Sequence, residues 1–300
     1  MKILNPSIEI IPQSEGIEGV YKQVELAGRT CYQSFENITE DSAKKFTDRM
    51  MKSGHCGMLE HATIYLKIPI NIDLAATFLD QVSTWTKCTL VVGKEGNWWA
   101  ITTNLRVIFE RFVLSDVFQY LCEPTEYHEK RITVKFTTDI GVTREGNRHR
   151  VNSMAEMSTR YCNFSKDKFG NELSIMSNAD ISEQDVKDCL FNWCYDNKTV
   201  FEAMCRDIAN KYDSKFGIID TWVFSNLASE WSYMKLINLG WTAQQARRIL
   251  PLDTHSELIH TAFVSDWYHF LSLRSPKYGA TGVHPDMAIV ADKLYDLIHD

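Results

Sequence analysis

Long apolar runs are absent from this chain. Even the region around Leu74 to Trp85 is broken by Asp80, Gln81 and Ser83, where crossing a bilayer needs about 20 predominantly apolar residues. This argues against a membrane role. A basic excess is absent too: 32 Lys and Arg stand against 39 Asp and Glu, for a net charge of -7 and a pI near 5.7. A general binder of the nucleic-acid backbone carries a basic face and a high pI, so no nucleic-acid partner is expected. The eight cysteines form no CxxC pair, and the opening MKILNPSIEIIPQ lacks the basic-then-apolar layout of a secretory signal. Reduced thiols in a cytoplasmic protein are the expectation. His55 and His61, with Cys56 between them, find no second cluster to complete a tetrahedral set, so no metal is expected. There is no internal repeat and no low-complexity tract.

What remains is ordinary globular composition, 300 residues with 44% hydrophobic and 24% charged, ample for a buried core. Composition allows one large domain or two small ones. Residues 3–11 read as a strand. Ile17, Val20, Val24 and Ala27 fall at helical spacing, as do Ala43, Phe46 and Met50 within 41–52. Thr63 to Ile68 is β-branched and aromatic, a strand closed by Pro69. From Ile70 to about Lys130 the aromatics Phe78, Trp85, Trp98, Trp99, Phe109 and Phe112 mark a folded elaboration, not a linker. RITVKFTTDIGV is again strand-like.

Ser182 with Asp185 can cap a long helix carrying Val186, Leu190, Trp193, Phe201, Met204 and Ile208. Thr221 to Leu239 is helical and stopped by Gly240; WTAQQARRILP is a short helix ended by Pro251. Thr254 and Glu257 form a capping-box pattern for a helix reaching Arg274, and a last helix follows Pro285. Strands in the first half and helices in the second predict an α+β fold.

The chemistry concentrates in RHRVNSMAEMSTRYCNF, Arg148 to Phe164. Arg148, His149 and Arg150 fall where a strand is expected to end. Guanidinium forks match phosphate oxygens, and a basic turn simply facing water is the alternative. Ser153 and Glu156 fit a capping box, and Glu156 with Arg160 fits a surface pair four residues apart on a helix. Ser158 and Arg160 add a hydroxyl and a further guanidinium to the same turn, a compact anion-binding set if it faces a cleft.

Arg148-His149-Arg150 followed after seven residues by Ser158, with Ser153, Glu156, Arg160 and Tyr161, resembles the signature of the flavin-dependent thymidylate synthases. Other segments follow the family's order. GRTCYQS (28–34) is similar to its A-R-x-[SC]-[FY] segment and GHCGMLEH (54–61) to its GH…EH motif. QQARRILP (244–251) resembles Q-x-A-R-x-x-LP, and FLSLR (270–274) resembles FLxLR. The resemblance covers about residues 17 to 274. The stretch at about 70–130 has no counterpart in compact members, so residues 1–300 are expected to form one catalytic domain with an inserted elaboration there.

The resemblance implies an antiparallel sheet surrounded by helices and a homotetramer whose active sites are shared between subunits. It implies FAD, reduced by NADPH, and transfer of a one-carbon unit from methylenetetrahydrofolate to dUMP without a cysteine nucleophile. By the same resemblance Arg148, His149 and Arg150 hold FAD, while Glu156, Ser158 and Arg160 line the dUMP site. Arg247 and Arg274 lie at the nucleotide as catalytic cations, and His55 belongs to the flavin or folate side. Each of those two arginines also has a plainer role, complementing the dipole at the end of its own helix.

The sequence departs from the family pattern at Ala155, usually asparagine, at Glu145, usually glutamine, and at Phe263, His269 and Tyr278 on the expected flavin side. His269 retains a donor for a flavin carbonyl. Those changes leave two alternatives to thymidylate synthesis, a flavin-dependent pyrimidine nucleotide hydroxymethylase and a nucleotide-binding homologue without turnover.

Overall fold

The computed structural model describes residues 1–82, 91–192 and 217–299. The expectations for Trp85, and for Trp193, Phe201, Met204 and Ile208, lie outside the described residues. The chain opens with two short strands, β1 (Lys2–Leu4) and β2 (Ser7–Ile11), where one was expected. Helices α1 (Gly16–Tyr32) and α2 (Ser42–Ser53) follow, and a 3-10 segment Cys56–His61 leads into β3 (Thr63–Pro69). The next stretch folds, as its aromatics imply, into α3 (Asp73–Val82), β4 (Val91–Glu95), β5 (Trp98–Asn104), α4 (Leu105–Arg111) and α5 (Leu114–Phe118).

Then come β6 (Arg131–Asp139), α6 (Ile140–Gly146), β7 (Ser153–Glu156), β8 (Ser174–Met176) and α7 (Glu183–Asn192). The described chain ends with α8 (Ile218–Asn238), α9 (Ala243–Ala246), β9 (His255–Phe263), α10 (Val264–Arg274) and α11 (Pro285–His299). Ser182 and Asp185 cap α7 reciprocally at 3.1 and 2.8 Å. Gly240, at φ 95°, takes the left-handed conformation just beyond α8 that a side chain would resist.

The fold is α+β. Its central sheet is antiparallel in the order β2-β6-β9-β7, beside an antiparallel β3-β5-β4 sheet and a parallel β1-β8 pair. The alternation of β6 and β9 assigns two faces to the central sheet. Val134, Phe136, Leu258 and Ala262 point to α10 and α11, packing with Trp267, Phe270, Leu271, Met287 and Leu294. Ile259 and Ala155 point the other way, against Ala27 of α1. On that second face a buried chain runs from Gln23 Nε2 to Thr133 Oγ1 (2.9 Å), on to Thr261 Oγ1 (2.8 Å) and to His61 Nδ1 (2.9 Å).

Two expectations fail here. The Ser153/Glu156 and Thr254/Glu257 patterns open no helix, because their residues lie in or directly before strands β7 and β9. An S/T-x-x-E spacing is compatible with either state, and the sheet decides it: β9 pairs with β6 on one edge and β7 on the other. Thr254 bonds back to the Pro251 carbonyl at 2.8 Å, and Glu257 receives Gln33 and Lys135. Arg148 to Arg150 do not end a strand either. β6 stops at Asp139, whose carboxylate accepts the Val142 N–H at 2.8 Å and starts α6 in between.

Candidate active site

The turn after α6 carries Arg148, His149 and Arg150. Arg148 and Arg150 are exposed, and among the described residues no carboxylate pairs with either. His149 is buried, its ring 4.7 Å from that of Phe270 and 6.5 Å from that of His269. Arg274, in the last turn of α10, donates from Nε to His149 Nε2 at 3.3 Å and from Nη1 to Glu145 Oε2 at 2.7 Å. Helix-dipole complementarity therefore does not exhaust its role. Burial first, and then the Arg274 cation, push the His149 pKa down to about 4, so the imidazole is neutral at physiological pH.

A second group forms where β7 exits. Ser158 N–H donates to the Cys31 carbonyl at 2.9 Å, fixing this loop to the end of α1. Arg160 donates from Nε and Nη2 to Gln244 Oε1 at 3.4 Å and lies over the Tyr161 ring. Arg247 donates to Thr159 Oγ1 at 3.3 Å. The QQARRILP and STRY segments, far apart in sequence, thus meet. Thr242 and Gln245 make that possible by capping α9 reciprocally, which orients the short helix carrying Gln244 into Arg247.

Glu156 stands at the end of β7. Its carboxylate accepts Thr143 Oγ1 at 2.7 Å, Ser256 Oγ at 3.2 Å and Asn147 Nδ2 at 2.9 Å. The expected pair with Arg160 does not form, since Glu156 ends strand β7 and Arg160 lies in the loop beyond it, with no helical turn to bring residues four apart together. Among the described residues no cation pairs with Glu156. It is a fixed anion held by neutral donors.

His55 lies apart from both groups, exposed at the start of the 3-10 segment. That segment is tied to β7 by Arg131, which was not expected. Its Nη1 donates to the Glu60 carbonyl at 3.0 Å and its Nη2 to Ser153 Oγ at 3.2 Å. The guanidinium also lies over the Phe263 ring. Arg131 carried no signal in the sequence, because it is defined by partners that only the fold brings near; Gln244 was visible as the first residue of the Q-x-A-R pattern, but not as the partner of Arg160.

The departures sort by burial. Phe263 and Ala155 are buried, so neither faces a ligand. His269 and Tyr278 are exposed, Tyr278 in a ring cluster with Tyr268, Tyr295 and His299. For FAD, the two unpaired guanidiniums of Arg148 and Arg150 beside a neutral histidine fit a pyrophosphate. No group of His, Cys, Asp and Glu suited to a metal occurs among the described residues, and none of their helices is long and apolar enough to cross a membrane.

No curated protein matches the chain. Among solved structures it is similar to a UMP/dUMP methylase PolB from Streptomyces cacaoi bound with 5-Br dUMP, at 15% identity over 99% of this chain and 92% of that one, with a TM-score of 0.39. The same methylase bound with 5-Br UMP aligns at 14% identity over 99% and 90%, with a TM-score of 0.40. The model of the thymidylate synthase complementing proteins matches residues 16–80 and 125–300, leaving out 81–124, a narrower interval than the expected 70–130. With most of its length matched, including the segments that carry Glu156, Arg160, Arg247 and Arg274, the chain belongs to the thymidylate synthase complementing protein family.

Proposed function

We propose that the protein is a flavin-dependent thymidylate synthase, converting dUMP to dTMP with methylenetetrahydrofolate and NADPH-reduced FAD. The observation that carries this reading is that Arg160 and Arg247 meet at the loop that follows Glu156, while Arg274 reaches Glu145 and His149 beside α6, whose Thr143 and the following Asn147 hold the Glu156 carboxylate. Arg148 and Arg150 hold the FAD pyrophosphate, with His149 packed beneath them. Ser158, Arg160 and Arg247 hold the dUMP phosphate. Arg274 sits at the pyrimidine, where a fixed cation stabilises the enolate-like charge that develops on a uracil carbonyl as C5 becomes nucleophilic. Glu156, anchored by three neutral donors, accepts from the nucleotide. Bound flavin supplies the reducing equivalents.

No thiolate is called for in this scheme. The two thiols beside the site are raised by burial to about 11, Cys31 with a further push from Cys162 and Glu156. Both stay protonated near neutral pH.

The reading carries with it a cytoplasmic homotetramer with shared sites. It is supported by large apolar side chains left exposed in one protomer, Tyr161 beside Arg160 and Leu239 and Trp241 just before the helix that carries Gln244. The test is a purified sample carrying the flavin absorbance bands and converting dUMP to dTMP with NADPH and methylenetetrahydrofolate. A colourless protein that cannot be reconstituted with FAD overturns it, and product mass separates a methyl from a hydroxymethyl group.

A further inference from the structure

Glu156 is held from two elements. Thr143 in α6 and Asn147 at its C-terminal cap are four residues apart, and the Asn147 N–H still donates to the Thr143 carbonyl at 2.8 Å, so both side chains lie on one face of the helix. The third partner comes from the sheet. Glu156 pairs with Leu258 across β7 and β9, which makes Ser256, two residues away, its diagonal neighbour on the same face.

The three donors are divided unequally. Thr143 Oγ1 and Ser256 Oγ both reach Oε1, while Asn147 Nδ2 alone reaches Oε2, at 2.9 Å. The Thr143 hydroxyl has the Ile140 carbonyl at 3.0 Å as a second acceptor, and the nearer, charged carboxylate is the stronger one. An ionised carboxylate offers about four lone-pair positions, two on each oxygen, so Oε1 is filled and Oε2 keeps a place for one donor from a ligand. Two bonds to the same oxygen fix that atom but leave the other free to swing as the side chain turns. Asn147 removes that freedom from the residue directly before Arg148.

We propose that Asn147 is a positioning residue for the nucleotide. It aims Glu156 Oε2, the oxygen with acceptor capacity left, and ties the turn of Arg148 and Arg150 to the carboxylate that receives the substrate. This rests on the reading of Glu156 as an acceptor for dUMP.

The test is dUMP affinity by titration calorimetry on the full-length protein between about pH 5 and 8, with a thermal melt for each variant. Each affinity is divided by that of the unsubstituted protein at the same pH, so that titration of the nucleotide phosphate cancels. Asn147→Ala weakens dUMP about three- to tenfold at every pH, the loss of one hydrogen bond. Asn147→Asp behaves differently. Two carboxyl groups at hydrogen-bond distance share a proton, and while they do the new group donates to Oε2 as the amide did, keeping affinity within about twofold. As pH rises and that proton is lost, the two anions repel and affinity falls about tenfold or more. Neighbouring groups are silent over this range: Cys31 of α1 is raised by burial to about 11, and His149 is lowered by burial and Arg274 to about 4.

If Glu156→Gln weakens dUMP but Asn147→Ala does not, the assignment of Asn147 fails while the reading of Glu156 stands. A ratio for Asn147→Asp that stays flat with pH also overturns it, because a merely structural loss does not titrate. Glu156→Gln with unchanged dUMP affinity overturns both.

Discussion

Arg274 and Glu145 form an ion pair at 2.7 Å across the junction of α10 and α6, with both side chains partly exposed. The glutamate stands where the family usually has glutamine, so the cation proposed for the pyrimidine is partly neutralised before any ligand arrives. Arg274 Nε is meanwhile engaged by His149. How much positive potential this corner offers a nucleotide is therefore set by one carboxylate.

Glu145→Gln removes that charge while keeping the shape. We expect dUMP affinity to rise a few-fold, more at low ionic strength than at high, because the group is partly exposed and screened. Titration calorimetry at two salt concentrations measures it. Affinity unchanged at both would remove Arg274 from the nucleotide.

Arg160→Ala is expected to weaken dUMP binding by about 1.5–3 kcal/mol, the loss of a charged hydrogen bond. Arg160 is exposed, packed on Tyr161 and, among the described residues, hydrogen-bonded through its side chain to a neutral partner, Gln244, so its removal leaves no buried charge behind and the fold tolerates it. Calorimetry with dUMP reads the loss, and a thermal melt shows that the fold is retained. Unchanged affinity would move Arg160 out of the phosphate site.

Acid should unfold this protein early. His61 and His260 are fully buried, and burial pushes both from the ordinary 6.5 to about 3. The unfolded chain takes up their protons first, so the stability from keeping them neutral is fully present above pH 6.5. It is lost as pH falls from 6.5 toward 3, at up to about 1.4 kcal/mol per pH unit for each histidine. Urea midpoints measured between pH 7 and 4 should fall steeply, and His260→Gln should flatten the slope. A midpoint independent of pH over that range contradicts the burial of both rings as neutral species.

Gly28 lies where the family's segment has alanine, and here a Cβ would sit 2.3 Å from Cζ of Phe46. Phe46 of α2 fills the space a methyl group would take. Gly28→Ala is expected to cost about 1–3 kcal/mol through overpacking, more than the helix propensity it recovers. Phe46→Leu in the same background should restore part of the loss, and denaturant unfolding measures both.

The legibility of the sequence varied with the range of the forces involved. α1, α2, β3 and the α9 turn were readable because periodicity and reciprocal caps are local properties of adjacent residues. The motif at Arg148 to Arg160 was readable as a set of charges and hydroxyls, but its conformation was not. Ser153 and Glu156 satisfy a helix-start pattern equally well, and only pairing with β9 makes them strand. With that change Glu156 turns from a presumed partner of Arg160 into an anchored anion facing α6.

The sequence alone therefore determined the kinds of groups present: an acidic chain without a CxxC pair, with its arginine-bearing motifs in a fixed order. The tertiary structure decided which of them meet, that Arg274 faces Glu145 and His149, that Arg160 and Arg247 share the 157–163 loop, and that Asn147 reaches Glu156. The physical reason is distance. An ion pair or a hydrogen bond has meaning only within a few ångströms, and a linear order of residues carries no information on that scale until strands and helices fold it into place.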